Sequence, residues 1–149
     1  MLNSISNLIQ REVSKIQEEL RKYSKEELVW EAPSGISNSA GNLALHVAGN
    51  LQHFIGSELG DSGYQRNREL EFDTKNQPIA DLIGELENTK REVSKALENL
   101  KPDALQKEFP IQVFDRPMIT EWFLLHLLSH TTYHLGQINY HRRLLSSAS

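Results

Sequence analysis

Four long stretches of this sequence repeat their apolar residues with the 3.6-residue period of an amphipathic helix, and no stretch of useful length alternates as a β-strand does. The sequence predicts helices over residues 4–21, 39–59, 78–100 and 118–145. Four helices of this length are typical of a four-helix bundle, so we expect an all-α fold. The chain has 149 residues, which favours a single domain covering 1–149.

The connections between the predicted helices indicate how the helices run. About 18 residues separate the second helix from the third, whereas two to eight are usual between antiparallel neighbours. A connection of this length can lead the chain back along a helix of about 30 Å, so we expect helices two and three to be parallel and the order to be up-down-down-up. Shorter predicted features are a helical turn at the capping-box sequence Ser24–Glu27 and an extended piece at Phe109–Phe114.

The composition excludes several classes of function. The net charge is −4, from 16 basic and 20 acidic residues without a basic block, which argues against nucleic-acid and anionic-membrane partners. Cysteine is absent, so disulfides, thiolate metal ligands and cysteine nucleophiles are excluded. No apolar run long enough to span a membrane and no signal peptide are visible, so we expect a cytoplasmic protein.

Three histidines follow one another at four-residue spacing in the last predicted helix. Residues four apart differ by about 40° around a helix, so His126, His130 and His134 lie on one face, and His141 falls on the same face. Imidazoles at positions i and i+4 are a common way for one helix to bind a divalent metal. The alternative is that these are packed histidines, each hydrogen-bonded to a neighbouring group.

A third imidazole must come from another segment, and the second predicted helix carries two. His46 and His53 are seven residues apart and share a polar face beside the apolar stripe of that helix. Amphipathicity alone favours exposure of this face to solvent. The functional alternative is that the face lines a cleft against the last helix.

Several common catalytic sites are missing from the sequence. His130 is followed by Thr131 rather than glutamate, which excludes the usual metalloprotease arrangement. There is no Glu-x-x-His pair, so a ferritin-like di-metal carboxylate centre is not expected. Neither a glycine-rich phosphate loop nor a Gly-x-Ser-x-Gly nucleophile elbow occurs.

The C-terminal motif His130-x-x-x-His134-x-Gly136-Gln137, with His46 early in the second helix, resembles the DinB-like (DinB/YfiT-like) metalloenzyme family. The resemblance extends over nearly the whole chain. It implies an up-down-down-up four-helix bundle, a homodimer, and a divalent metal bound by His46, His130 and His134. The family includes transferases and isomerases that use low-molecular-weight thiols.

Three imidazoles leave open positions on zinc, nickel or ferrous iron, where water or a thiolate can bind. Since the chain has no cysteine, a low-molecular-weight thiol would have to come from a cofactor or from the substrate. His126 and His53 are the candidate catalytic residues, as general bases or as partners of the ligands. The alternative for both is an ordinary packed or exposed histidine.

Candidate cofactor-binding residues lie in the long connection and in the last helix. Arg66 and Arg68 have the charge to bind an anionic substrate or the carboxylates of a thiol cofactor, or they pair locally with Glu69 or Glu71. Gln137 is expected either to form a hydrogen bond at the site or to make a structural contact.

These observations support two functions. The first is a metal-dependent enzyme, a thiol S-transferase or a related small-molecule transferase or hydrolase. The second is a non-catalytic dimeric helical module in which the metal is structural or sensory, and a closed four-ligand site would favour it. It also remains open whether the histidines bind a metal at all.

The side of the last helix opposite its histidines is also apolar, which makes an uncovered surface unfavourable. A loop, the N-terminal segment or a second subunit must cover it, and we expect a homodimer with this helix at its interface. The leucines concerned are Leu124, Leu125, Leu128 and Leu135.

Overall fold

The computed structural model describes residues 1–146, and it is helical throughout its regular structure. The α-helices are α1 (Leu2–Arg21), α2 (Ala40–Leu51), α3 (Arg68–Asp73), α4 (Ile79–Glu98) and α5 (Thr120–Ser146). A π-helical turn, Gln52–Ser57, continues α2, so the second predicted helix exists as a continuous segment with a change of pitch. No strand occurs among the described residues. The all-α prediction is confirmed. The four long helices begin and end within about two residues of their predicted limits, when α2 and the π-helical turn are counted together as the second helix.

Short helical turns occupy two of the connections. The turn predicted at Ser24–Glu27 is present but begins later, as a 3₁₀ helix at Glu26–Trp30 without a side-chain cap. A second 3₁₀ helix, Pro102–Gln106, follows α4. Both turns carry the chain around the ends of the long helices.

The helix α3 was not predicted, because six residues are too short to show a helical period. The side chain of Asn67 caps it by accepting a hydrogen bond from the Leu70 amide at 3.2 Å. Most of α3 is exposed, but Glu71 is buried, with 6% of its surface accessible. The long connection therefore contributes one inward-facing carboxylate to the interior of the protein.

The hydrogen bonds of α1 fix its register against two neighbours. Against α5, Glu12 accepts from Thr132 at 3.0 Å and Glu19 accepts from Asn139 at 2.9 Å, so the residue numbers rise together. Against α4, the residue numbers of the two helices change in opposite directions. Gln10 donates to the Lys90 carbonyl, and Gln17, further along α1, donates to the earlier Ile83 carbonyl.

The register of α2 is fixed in the same way. Gln52 donates to Glu85 at 2.7 Å and to Thr89 at 3.0 Å on α4. Gly60, eight residues after Gln52, lies against Ala96 of α4, because a Cβ built at Gly60 would overlap the Ala96 side chain. The residue numbers therefore increase in the same direction along α4 and along the segment that runs from α2 to Gly60. Toward α5 the residue numbers change in opposite directions, since His46 contacts His130 and the later Phe54 contacts the earlier Phe123.

The leucine side of α5 is largely covered within the chain. Leu124 is fully buried, and Leu128 and Leu135 are half-buried and packed against the core. Of the three covers expected for this side, the N-terminal segment is the one observed, since α1 packs along α5. The large apolar side chains that α5 leaves exposed are Trp122, Leu125, Tyr133, Tyr140 and Leu144.

The predicted extended piece at Phe109–Phe114 does not form a strand. An isolated antiparallel bridge joins Glu108 to Ile119, and the Phe109 amide donates to the Met118 carbonyl at 2.7 Å. This arrangement closes the loop that precedes α5. Among the described residues, no helix combines the length and the apolar character needed to cross a membrane.

Candidate metal centre

Three of the six histidines meet between α2 and α5. The Nε2 atom of His130 lies 3.1 Å from Nε2 of His46 and 3.1 Å from Nε2 of His134. Their ring centroids are between 4.4 and 5.1 Å apart. The structure thus brings together the three residues that the sequence singled out, and together they can hold a metal ion.

The two helices supply these side chains in the way that their spacing predicts. His130 and His134 are separated by one turn of α5, so their rings lie on one face. His46 is 7% exposed and points from α2 toward this face, so its polar side lines a cleft rather than facing solvent. The expectation of solvent exposure, which amphipathicity favoured, is therefore wrong for His46.

The donor set fits a divalent metal of the zinc type. Two nitrogens bound at 2.0–2.1 Å to a tetrahedral ion lie about 3.3 Å apart, close to the observed separations of the Nε2 atoms. Burial, with the neighbouring His134 and His46, lowers the pKa of His130 to about 3. Burial also lowers the pKa of His134. Both imidazoles are therefore neutral near pH 7, and a metal requires that state of its ligands.

Sequence reasoning missed the part that Glu71 plays at this centre. Its Oε1 atom lies 3.0 Å from Nδ1 of His46, on the side of the ring that faces away from the other histidines. Burial alone would raise the pKa of Glu71, but the hydrogen bonds from His46 and Arg66 outweigh it and hold the pKa below its usual value. The carboxylate therefore stays ionised and accepts the Nδ1 proton of His46, as carboxylates do for metal-bound imidazoles.

Arg66 holds the Glu71 carboxylate in place. Its Nε atom donates to Oε2 at 2.8 Å and its Nη2 atom donates to Oε1 at 3.0 Å. Of the two alternatives that the sequence left open for Arg66, local pairing with Glu71 is the one observed. Its guanidinium also lies over the Phe54 ring, with 5.9 Å between the Cζ atom and the ring centroid.

Gly49 makes room for this carboxylate on α2. A Cβ atom built on Gly49 would overlap the Oε2 and Cδ atoms of Glu71. A glycine in the middle of a helix costs about 0.5–1 kcal/mol relative to alanine, and here it permits the close approach of Glu71. The signal available in the sequence was a glycine three residues after His46, inside an otherwise helical pattern.

The other predicted binding residues have separate positions. Gln137 Oε1 lies 2.7 Å from Nδ1 of His134, so this side chain bonds directly to a residue of the cluster. Arg68 is exposed and lies over the Phe72 ring at 5.3 Å. Gly136 is exposed, with nothing within 4 Å of a Cβ built there, so it serves no close approach of helices.

The two candidate catalytic histidines differ in their relation to the cluster. His126 is half-buried, and its ring centroid lies 6.5 Å from that of His130. It is stacked on Trp122, with 5.4 Å between centroids and 5° between ring planes. His53 packs against Phe54 at 4.7 Å and is not part of the group of three.

His141 does not join the cluster, although its position on the helix suggested the same face. It is buried further along α5, where its Nδ1 lies 2.6 Å from the Tyr23 hydroxyl and its Nε2 lies 2.8 Å from the Glu31 carbonyl oxygen. Both nitrogens are therefore used in holding the end of α5 to the segment after α1.

Comparison with known proteins identifies the family through its sequence pattern. Neither the curated proteins nor the solved structures gave a match to this chain. A model of the DinB superfamily matches residues 8–138, a range that contains the three clustered histidines together with Glu71 and Arg66. Because the match covers most of the 149 residues, this chain belongs to the DinB superfamily.

Proposed function

We propose that this chain is a metal-dependent enzyme acting on a small molecule, with His46, His130 and His134 as the protein ligands of a zinc, nickel or ferrous ion. The observation that carries this proposal is the convergence of three Nε2 atoms, with His130 3.1 Å from each of the other two. The group contains three side chains rather than four. Three protein ligands are typical of catalytic zinc, whereas four are typical of structural zinc.

We further infer that the four long helices run up-down-down-up. The register of the side-chain contacts supports this order, because α1 pairs with α5 in rising numbers and α2 pairs with α4 in rising numbers. The reversed order between α1 and α4 agrees with it. The long connection that carries α3 would then return the chain along the bundle.

The proposed reaction is the transfer or hydrolysis of a group on a small molecule, with a low-molecular-weight thiol as the favoured nucleophile. When bound, a divalent ion held by three imidazoles supplies Lewis acidity and favours the ionised form of a thiol or of water at an open position. The chain itself has no cysteine, so the thiol must come from solution. This substrate class is the one that the family resemblance suggests.

The protein side chains supply orientation and the acceptance of a proton. Glu71 receives the Nδ1 proton of His46, and Gln137 bonds to Nδ1 of His134, so both rings present Nε2 to the centre. We assign the acceptance of the nucleophile's proton to His126, since it is the next titratable side chain on the same face of α5. The exposed Trp122 and the edge of Phe114, 5.2 Å from the His126 ring, would border the substrate.

Metal analysis of tag-free protein tests the proposed function. We expect about one equivalent of a divalent transition metal per chain, which is lost in His130→Ala and kept in His141→Ala. His141 is the matched control because it is a buried histidine of the same helix that is hydrogen-bonded elsewhere. Wild-type protein that neither contains nor takes up a divalent transition metal would contradict the proposal.

A second measurement separates an enzyme from a metal-stabilised module. Spectra of the cobalt-substituted protein should change when a small thiol such as 2-mercaptoethanol is added, because an open position admits it. A spectrum that does not respond to thiol or to azide would favour a closed site with a structural role.

A further inference from the structure

Two polar atoms are buried without a hydrogen-bond partner among the side chains of residues 1–146, and one of them belongs to a histidine of the cluster. They are Oδ1 of Asn50 and Nδ1 of His130. An unpaired buried polar atom is unfavourable, so such atoms are rare unless a function retains them. One of these two atoms is an acceptor, and the other becomes a donor when it carries the imidazole proton.

The packing of α2 against α5 indicates the level of Asn50 relative to His130. His46 meets His130, and Phe54, eight residues later in the π-helical turn, meets Phe123, seven residues before His130, with 5.1 Å between the phenyl centroids. Asn50 lies one turn after His46 on α2 and therefore shares its face, and it precedes Phe54 by four residues. Its level on α5 is between Phe123 and His130.

The direction of the His130 side chain brings its ring to that level. Side chains on a helix lean toward its N-terminus, so the His130 ring is displaced from its own Cα toward the preceding turn. Asn50 is 7% exposed, and its unpaired oxygen is buried.

The other two histidines of the cluster show what is missing at His130. The Nδ1 atom of His46 has the Glu71 carboxylate at 3.0 Å, and Nδ1 of His134 has the Gln137 amide oxygen at 2.7 Å. His130 turns its Nε2 toward both of these residues, so its proton belongs on Nδ1 when all three Nε2 atoms bind a metal. His130 then needs an acceptor, and the other unpaired buried side-chain atom among residues 1–146 is an acceptor, Oδ1 of Asn50.

We propose that Asn50 is the positioning residue of His130 in the metal-bound protein, where its Oδ1 accepts the Nδ1 proton and so holds the ring with Nε2 toward the metal. The structure does not contain this bond, since neither atom has a partner in it. This assignment rests on the proposed three-histidine metal site. Each ligand then has an orienting partner of its own, namely a carboxylate for His46, a glutamine for His134 and an asparagine for His130.

The test compares Asn50→Leu, which keeps the volume and removes the acceptor, with Asn50→Asp, which keeps an acceptor. We expect the zinc affinity, measured by competition with a chromophoric chelator, to fall about 10- to 100-fold in Asn50→Leu. It should stay within threefold of wild type, or rise, in Asn50→Asp. Asn139→Leu is the control, because it removes a half-buried amide that bonds to Glu19 on the other side of α5.

A spectroscopic measurement on zinc-loaded protein distinguishes positioning from packing, because His130 must carry its proton on Nδ1 once Nε2 binds the metal. The ¹H–¹⁵N signal of this Nδ1 proton should be resolved and slow to exchange with water in wild type and in Asn50→Asp, and it should exchange faster in Asn50→Leu. An equally slow exchange in Asn50→Leu, or a loss of zinc affinity in Asn50→Asp as large as in Asn50→Leu, would overturn the assignment.

The two proposals can fail separately. Wild-type protein without zinc affinity would contradict the metal site, whereas wild-type zinc affinity retained in Asn50→Leu would contradict only the role of Asn50. If Asn50→Leu does not fold, the comparison of Asn50→Asp with wild type decides, because a tenfold loss of zinc affinity in Asn50→Asp contradicts an acceptor role.

Discussion

The Glu71 carboxylate lies 3.0 Å from Nδ1 of His46, although 25 residues separate the two in the sequence. The long connection between α2 and α4 therefore contributes directly to the candidate metal centre, through the short helix α3. Since Glu71 also accepts two hydrogen bonds from Arg66, the connection holds its own carboxylate in position. The orientation of His46 depends on this segment as much as on α2.

Replacing Glu71 by glutamine should weaken zinc binding about 10- to 100-fold, because the amide is a weaker acceptor for the Nδ1 proton of His46. Chelator competition at pH 7.5 measures the change. Glu69→Gln is the matched control, since Glu69 is exposed on the same short helix, and its zinc affinity should equal that of wild type. Equal affinities of Glu71→Gln and wild type would show that the carboxylate does not orient His46.

Replacing Gly49 by alanine should displace the Glu71 side chain, because the new Cβ would overlap its carboxylate. We expect a loss of about 1–3 kcal/mol in the free energy of unfolding, measured with urea, together with weaker zinc binding. Gly84→Ala is the control, since Gly84 is exposed within α4 with nothing near its Cβ position, and it should be neutral or stabilising.

A double-variant cycle shows whether the two residues act through each other. In the Glu71→Ala background the Gly49→Ala change should cost much less than alone, because no carboxylate remains to be displaced. If the losses in free energy of unfolding of the two single variants add in the double variant, the cost of Gly49→Ala does not arise from overlap with Glu71.

The sequence predicted the elements of the bundle and part of the site. The four long helices follow from apolar periodicity, and the pairing of His130 with His134 follows from their spacing in α5. The burial of His46 could not be derived, because a helix of six residues with no visible period covers that face. His141 shows that sharing a helix face does not place two residues in one site. It follows His134 by seven residues, which corresponds to about 10 Å along the helix axis.

The coverage of α5 is a second feature that periodicity could not decide. A helical wheel shows which residues share a face, but not which neighbouring helix packs against it. The sequence therefore left a loop, the N-terminal segment and a second subunit as covers for Leu124 and Leu128. In the structure α1 packs along α5, and its carboxylates bond to Thr132 and Asn139. The exposed apolar side chains of α5 lie elsewhere on the helix, and a homodimer interface would have to use them. They are Trp122, Leu125, Tyr133, Tyr140 and Leu144.

The free energy of unfolding of the metal-free protein should decrease as the pH falls below about 6.5, the usual pKa of histidine. Burial lowers the pKa of His141, so the unfolded chain binds a proton there that the folded chain does not. Its contribution is present above pH 6.5 and is lost as the pH falls toward the lowered pKa. Urea unfolding at pH 7.5, 6.0 and 5.0 measures the slope, which is at most about 1.4 kcal/mol per pH unit for each proton.

His141→Gln isolates this contribution from those of the clustered histidines. The glutamine cannot titrate, so the slope between pH 6.5 and 5 should be smaller in the variant, although its stability at pH 7.5 should also be lower because Tyr23 and Glu31 lose their partner. An identical slope in the two proteins would show that His141 does not contribute to the pH dependence.

The expected homodimer should respond to charge on the exposed side of α5 and not on its leucine side. Leu144 is 75% exposed, so Leu144→Glu should leave the folded chain intact while adding an unfavourable charge to an interface on that side. Sedimentation velocity at micromolar concentrations should show wild type as a dimer and Leu144→Glu as a monomer of about 17 kDa. Leu70→Glu is the control, because Leu70 is 55% exposed on α3, a helix that packs on α2, and the dimer should persist. Leu128→Glu should instead lower the free energy of unfolding, since Leu128 packs against the core of its own chain. A monomeric wild-type protein, or dimers in all three variants, would refute an interface on this side of α5.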